Sequence, residues 1–76
     1  MDNNALSFGQ FVTWQHPDFA AIDPLYGTIQ NDVACGKMFF IDMDLLTPRQ
    51  LAFLDRCGIE PTAGLFLDDG AIVKAV

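Results

Sequence analysis

Between Thr47 and Gly58 the sequence specifies both ends of one helix. Thr47-Pro48-Arg49-Gln50 places a hydroxyl at the N-cap, a proline at the first helical position and a glutamine at the third. This is a capping box: the Thr47 side chain accepts from the Gln50 backbone while the Gln50 side chain reaches back, serving amides that no helical carbonyl can reach. Leu46, Phe53, Leu54 and Cys57 then share one side, with Leu51 at its margin, and Arg49, Asp55 and Arg56 occupy the other. Gly58 supplies the left-handed residue that stops the helix, and Ile59 is placed to fold back onto its last turn. A chain of 76 residues makes one domain and buries only about 60% of the surface its unfolded form exposes. With 51% hydrophobic and 18% charged residues it lies far from the composition of disordered chains. Apolar surface beyond what one small core hides marks an interaction or self-association site.

The remaining elements read as strands and turns. Residues 37–44 alternate at their end, which predicts a strand with Ile41 and Met43 on one side and Asp42 and Asp44 on the other. Residues 64–67 and 71–76 flank Asp68-Asp69-Gly70 and predict a C-terminal hairpin with Gly70 at positive φ. Residues 25–30 predict a strand pairing with 37–43 across the turn-rich Asn31-Asp32 and Cys35-Gly36 region. Residues 6–15 fit two periods. Ser7-Phe8-Gly9-Gln10 is a second capping-box pattern ahead of Phe11, Val12 and Trp14, yet Leu6, Phe8, Val12 and Trp14 also fit a spacing of two; a helix is the expectation. Pro17 opens a short turn through Ile22, and Pro24 keeps Asp23 out of helical geometry. Residues 1–5 read as a short flexible tail. The expected fold class is α+β: a small single domain with two helices packed on a mostly antiparallel sheet of three to four strands.

Charge is distributed unevenly. Residues 1–36 carry Asp2, Asp18, Asp23 and Asp32 with no Lys or Arg, and the rest adds six carboxylates against Lys37, Arg49, Arg56 and Lys74, for a net charge of −6. Such a field repels nucleic acid and attracts basic surfaces, and four scattered basic side chains cannot neutralise many phosphates. No run of about 18–20 apolar residues reads as a membrane span, and Met1-Asp2-Asn3-Asn4 lacks the basic region of a secretory signal. A cytoplasmic, unprocessed protein is therefore expected, in the host cytoplasm if phage-encoded. Cys35 and Cys57 belong to no C-x-x-C pair and read as two buried free thiols.

The segment Phe39-Phe40-Ile41-Asp42-Met43-Asp44-Leu45-Leu46-Thr47 resembles the first motif of haloacid-dehalogenase-type phosphatases, an apolar strand ending in D-x-D-x-[TV]. The resemblance implies a parallel sheet, a nucleophilic Asp42, an acid/base Asp44 and a loop that helps bind Mg²⁺. It covers nine residues, Thr47 falls one place late, and the residues after it leave little room for that family's downstream motifs. The alternative reading makes Asp42 and Asp44 the solvated face of a strand. Asp42, Asp44, Asp68 and Asp69 would offer oxygen ligands to a hard cation if their strands were neighbours, but no EF-hand spacing supports a metal site. His16, the single histidine, reads as a cap or turn residue rather than a base. There is no Gly-rich phosphate loop. Neither catalytic residues nor a cofactor are expected.

A binding role is the expectation. Trp14, Phe19 and Tyr26 lie in the half without basic residues and are the candidate aromatic anchors. Asp18 and Asp23 would rim them, and Asp42, Asp44, Asp68 and Asp69 would add carboxylates facing a cationic surface. The expected function is a small acidic protein that inhibits a larger protein or nucleoprotein by occluding a basic or nucleic-acid-binding surface, without itself binding nucleic acid or membrane. Phage-type inhibitors such as anti-CRISPR or polymerase-inhibiting proteins share this size and character as a class. The alternative is an accessory or antitoxin-like subunit of a bacterial complex. A homodimer is compatible with either reading.

Overall fold

Thr47 caps the helix as its sequence dictates. In a computed structural model, which describes residues 6–67 and 70–76, α1 spans Pro48–Arg56. Thr47 Oγ1 accepts from the Gln50 amide at 3.1 Å, and the Thr47 amide donates to Gln50 Oε1 at 2.8 Å. The other end of the Gln50 side chain does separate work: its Nε2 donates to the carbonyls of Asp23 and Pro24 at 3.1 and 3.2 Å. One buried glutamine thus caps the helix and ties it to the turn ahead of a strand. At the far end Gly58 adopts φ +71°, and the amides of Gly58 and Ile59 donate to the carbonyls of Asp55 and Leu54. This is the Schellman arrangement.

Four strands form one sheet: β1 (Phe11–Gln15), β2 (Leu25–Asp32), β3 (Gly36–Ile41) and β4 (Ile72–Ala75). Their order is β3-β2-β1-β4, and every pairing is antiparallel. Two 3₁₀ turns, Pro17–Phe19 and Met43–Leu45, complete the described elements. Directly opposed residues of an antiparallel pair point to the same face. Val12, Trp14, Leu25, Gly27, Ile29, Phe39 and Val73 accordingly share the inward face, where Leu6, Ile22 and Leu67 join them and Phe53, Leu46 and Ile41 pack against them. The result is an α+β arrangement; residues 25–30 pair with the next strand as expected, but that strand ends at Ile41 rather than at residue 43.

Several expectations are corrected. There is one α-helix among the described residues, not two, because residues 11–15 form a strand. Gln10 Oε1 does accept from the Ser7 amide at 3.0 Å, half of a capping box. Gly9, however, turns the chain at φ +81° and donates to the Ile29 carbonyl, after which the spacing of two takes over. The C-terminal hairpin does not form either. Leu65 instead makes an isolated bridge with Phe39 at the outer edge of β3, whereas β4 pairs with β1 on the other side of the sheet. Asp42 and Asp44 do not line a strand face together, since β3 ends at Ile41 and the Asp42 carboxylate caps the following 3₁₀ turn by accepting from the Asp44 amide. Cys35 and Cys57 are free but exposed. The tail expected over residues 1–5 and the turn residues Asp68 and Asp69 lie outside the described residues.

Gly27 is the tightest point of the sheet. A Cβ there would lie 2.1 Å from the Phe40 carbonyl oxygen and 2.8 Å from the Phe39 ring. Gly27→Ala is therefore expected to cost roughly 3 kcal/mol by overpacking, lowering Tm by more than about 10 °C for a domain of this size; a thermal melt superimposing on the parent's would contradict this packing. Gln50→Leu keeps most of the volume but strips the Thr47 amide and two carbonyls of a partner. Urea titration should show it less stable than the parent by about 2 kcal/mol, and more affected than Thr47→Ala, for which loss of a cap costs about 1 kcal/mol.

Candidate interaction surface

Phe53 of the helix and Leu46 before it pack against the inward face of the sheet; on the outward face Gln15, Tyr26, Gln30, Ile72 and Lys74 are exposed, Phe11, Thr13, Thr28 and Phe40 are half-buried, and Met38 is buried. Register places the outward residues in rows. One row runs Lys74, Thr13, Tyr26 across β4, β1 and β2, and the next runs Phe11, Thr28, Phe40 across β1, β2 and β3. Asp42, one residue beyond β3, donates its amide to the Tyr26 carbonyl at 2.8 Å, so it extends the first row next to Tyr26. Gln15 and Ile72 lie on one flank, and Gln30 and Met38 on the other. Tyr26 is 42% and Ile72 52% exposed, and the Phe11 and Tyr26 rings stack at 5.9 Å between centroids. Phe40 packs under Gly64, where a Cβ would meet its ring at 2.9 Å. Among the outward strand positions only Lys74 and, at the β2–β3 hairpin, Asp32 are charged. Apolar and aromatic residues therefore occupy places that an antiparallel sheet with one solvated face ordinarily gives to polar side chains.

The strands alternate in direction, so the end of β1, the start of β2, the end of β3 and the start of β4 share one end of the sheet. That end carries Asp18 in the 3₁₀ turn after β1, Asp23 just before β2, and Asp42 and Asp44 just after β3. Asp32 belongs to the opposite end, and Asp55 and Glu60 to the helix side. Asp68 and Asp69 precede β4 in sequence but lie outside the described residues. Most of the basic side chains engage oxygen atoms and rings of the fold: Lys37 donates to the Leu6 carbonyl and lies over the Phe8 ring, Arg49 donates to the Ala21 carbonyl, and the Arg56 guanidinium sits 5.9 Å from the Phe53 centroid. Among the described residues, Arg49, Arg56 and Lys74 form no ion pair with a carboxylate. Asp18 Oδ2 lies 3.7 Å from His16 Nδ1. That nitrogen also accepts from the Asp18 amide at 3.0 Å. His16 is a cap residue, as its sequence context implies.

The three aromatic candidates separate. Trp14 is 4% exposed: its ring stacks near Phe39 and meets the edge of Phe19 at 5.1 Å, while Nε1 donates to the Phe66 carbonyl at 2.9 Å. A side chain so enclosed offers no contact to a partner, which corrects its assignment as an anchor. Phe19 is half-buried between Trp14 and Phe53. Tyr26 alone is presented outward. The outward face also includes Phe11, Phe40 and Ile72, which the sequence reading missed. Their signal is the spacing of two, visible once residues 11–15 are taken as a strand.

Among the described residues the sheet is antiparallel, not the parallel sheet that the phosphatase resemblance implies, and Asp42 is engaged as a cap. Among the described residues no three His, Cys, Asp or Glu side chains are grouped to hold a metal, and no helix is long and apolar enough to cross a membrane. Comparison with protein-family models, curated proteins and solved structures finds no match.

Trp14→Phe keeps an aromatic ring in the core but leaves the Phe66 carbonyl without its donor. Denaturant unfolding should register a loss of about 1–3 kcal/mol. The anchor role would regain support if this variant folded with full stability and nevertheless lost a binding partner.

Proposed function

We propose that the chain is a small acidic binding protein that occludes a basic surface on a larger protein or nucleoprotein, with inhibition as the consequence. The observation that carries this reading is the juxtaposition of an outward, nearly uncharged sheet face around Phe11, Tyr26 and Ile72 with a sheet end bearing Asp18, Asp23, Asp42 and Asp44. The two parts act at different stages of association. The carboxylates steer a cationic surface during approach, over a range of roughly 8–10 Å at ordinary ionic strength. The aromatic face then excludes water and slows dissociation. Tyr26 beside Asp42 is where the two meet, and it is the best place for a hot spot. Phage-type inhibitors are the class this mode of action fits.

A direct test uses the immobilised chain and an extract of its own cells. The parent should retain a partner that a polyanion such as heparin displaces, with retention falling as salt rises. Tyr26→Ala combined with Asp42→Asn and Asp44→Asn should reduce retention at least about tenfold. Asn is itself a good cap at position 42, so the fold stays intact. Equal retention by the triple variant, or retention indifferent to salt and heparin, would remove the proposed mechanism.

A further inference from the structure

A second feature lies away from the sheet. The Schellman turn at Gly58 brings residues 58–61 back alongside the last turns of α1, and between them opens a cleft of about 270 Å³ lined by Leu51, Asp55, Gly58, Ile59, Glu60 and Pro61. Leu51 is 45% exposed there, although it sits in a helix whose other large apolar residues face the core. Asp55 and Glu60 stand on the two walls. Neither has an ion-pair partner among the described residues, because the neighbouring Arg56 is placed near the Phe53 ring instead. The helix C-terminus adds its own partial negative charge at the same place.

We infer that this cleft receives an arginine side chain presented by a partner protein. Three elements of the lining match three parts of that side chain. Leu51, Ile59 and Pro61 give apolar lining for the methylene stem, which long cationic side chains bury while their head stays polar. Asp55 and Glu60 supply acceptors on opposite walls for the guanidinium, whose five donors lie in a planar fork, whereas an ammonium is a compact, strongly hydrated point charge. Gly58 carries no side chain to fill the space, and its left-handed conformation is what directs the chain back to form the second wall. Charge complementarity selects the occupant: the lining contains two carboxylates and no cation. The site does not depend on the outward sheet face, so either assignment stands or falls without the other.

Titration of isotope-labelled protein with blocked arginine (N-acetyl-arginine amide), followed by amide chemical shifts at low salt, tests it. Saturable shifts are expected at Leu51, Asp55, Gly58, Ile59 and Glu60. Blocked citrulline, the neutral near-isostere, should bind at least about tenfold more weakly. Asp55→Asn with Glu60→Gln should weaken arginine binding to a similar degree without moving amides elsewhere; the glutamine carbonyl at position 60 can still accept from the Thr62 hydroxyl, as Glu60 does. The assignment is overturned if the shifts spread equally to Asp18, Asp23 and Asp32 without saturating, which is the signature of a diffuse counterion atmosphere. It is also overturned if citrulline or blocked lysine binds as tightly as arginine, or if the double variant binds as the parent does.

Discussion

The hydrogen bond from the Trp14 indole to the Phe66 carbonyl joins the regular and irregular halves of the molecule. Trp14 stands in β1, a central strand, and its ring meets Phe39 of β3 and Phe19 of the first 3₁₀ turn. Phe66 belongs to the segment that runs from the edge of β3 back toward β4. In a small domain whose described residues include one nine-residue α-helix, irregular segments help close the core. The Trp14 side chain is buried, and a buried indole N–H without an acceptor costs far more than a satisfied one gains, so the indole favours a path for that segment that brings the Phe66 carbonyl to it. The same role withdraws Trp14 from any binding surface.

Local chemistry is legible in the sequence, and nonlocal pairing is not. The cap at Thr47, the Gln50 return contact, Gly58 and Ile59 all act within a few residues, and each appears where its type and spacing place it. The β2–β3 hairpin is equally local. Ser7-Phe8-Gly9-Gln10 shows where such reasoning runs out: its side-chain contact forms, but in a turn, because pairing of residues 11–15 with β2 on one side and β4 on the other outweighs a weak helical preference. Residues 64–67 and 71–76 read as partners in a hairpin, yet Leu65 and Val73 bond on opposite sides of the sheet. That choice is made by burial of Leu67 and by Trp14, neither of which has a local signature. The candidate surface inherits both errors. Tyr26 stands out in the sequence as an amphipathic aromatic, whereas Phe11, Phe40 and Ile72 need the register.

Charge in this chain is arranged by topology more than by pairing. Carboxylates that cap turns, such as Asp42, or precede strands, such as Asp23, necessarily collect where strands begin and end. An antiparallel sheet with every second connection at one end concentrates them there. Of the cations, Arg49 donates to the Ala21 carbonyl, between Asp18 and Asp23 in sequence, and leaves that end with one positive charge against four carboxylates, whereas Lys37 is directed to the Leu6 carbonyl and Arg56 to the Phe53 ring. Local turn chemistry thus accounts for the residues involved, and the strand order accounts for their assembly at neighbouring strand ends, about 10 Å across two interstrand spacings. No separate selection of a charged patch needs to be assumed for that patch to steer a cationic partner.

The outward face calls for a different explanation. Small domains expose apolar atoms as a matter of surface-to-volume ratio, so single exposed residues such as Val33 at the hairpin tip carry no message. Contiguity is what distinguishes the sheet face. Phe11, Tyr26, Phe40 and Ile72 fall in adjoining rows, with threonines between them and a lone cation at the edge. A sheet face meant only for water would gain solubility from glutamate or lysine at Thr13, Thr28 or Phe11, with no core contact to lose. Instead the charges are displaced to the strand ends and the middle is left apolar, which is the division between hydrophobic centre and polar rim found in protein interfaces. Gly27 admits the Phe40 backbone carbonyl and the inward Phe39 ring, and Gly64 admits the Phe40 ring at the side of the same surface.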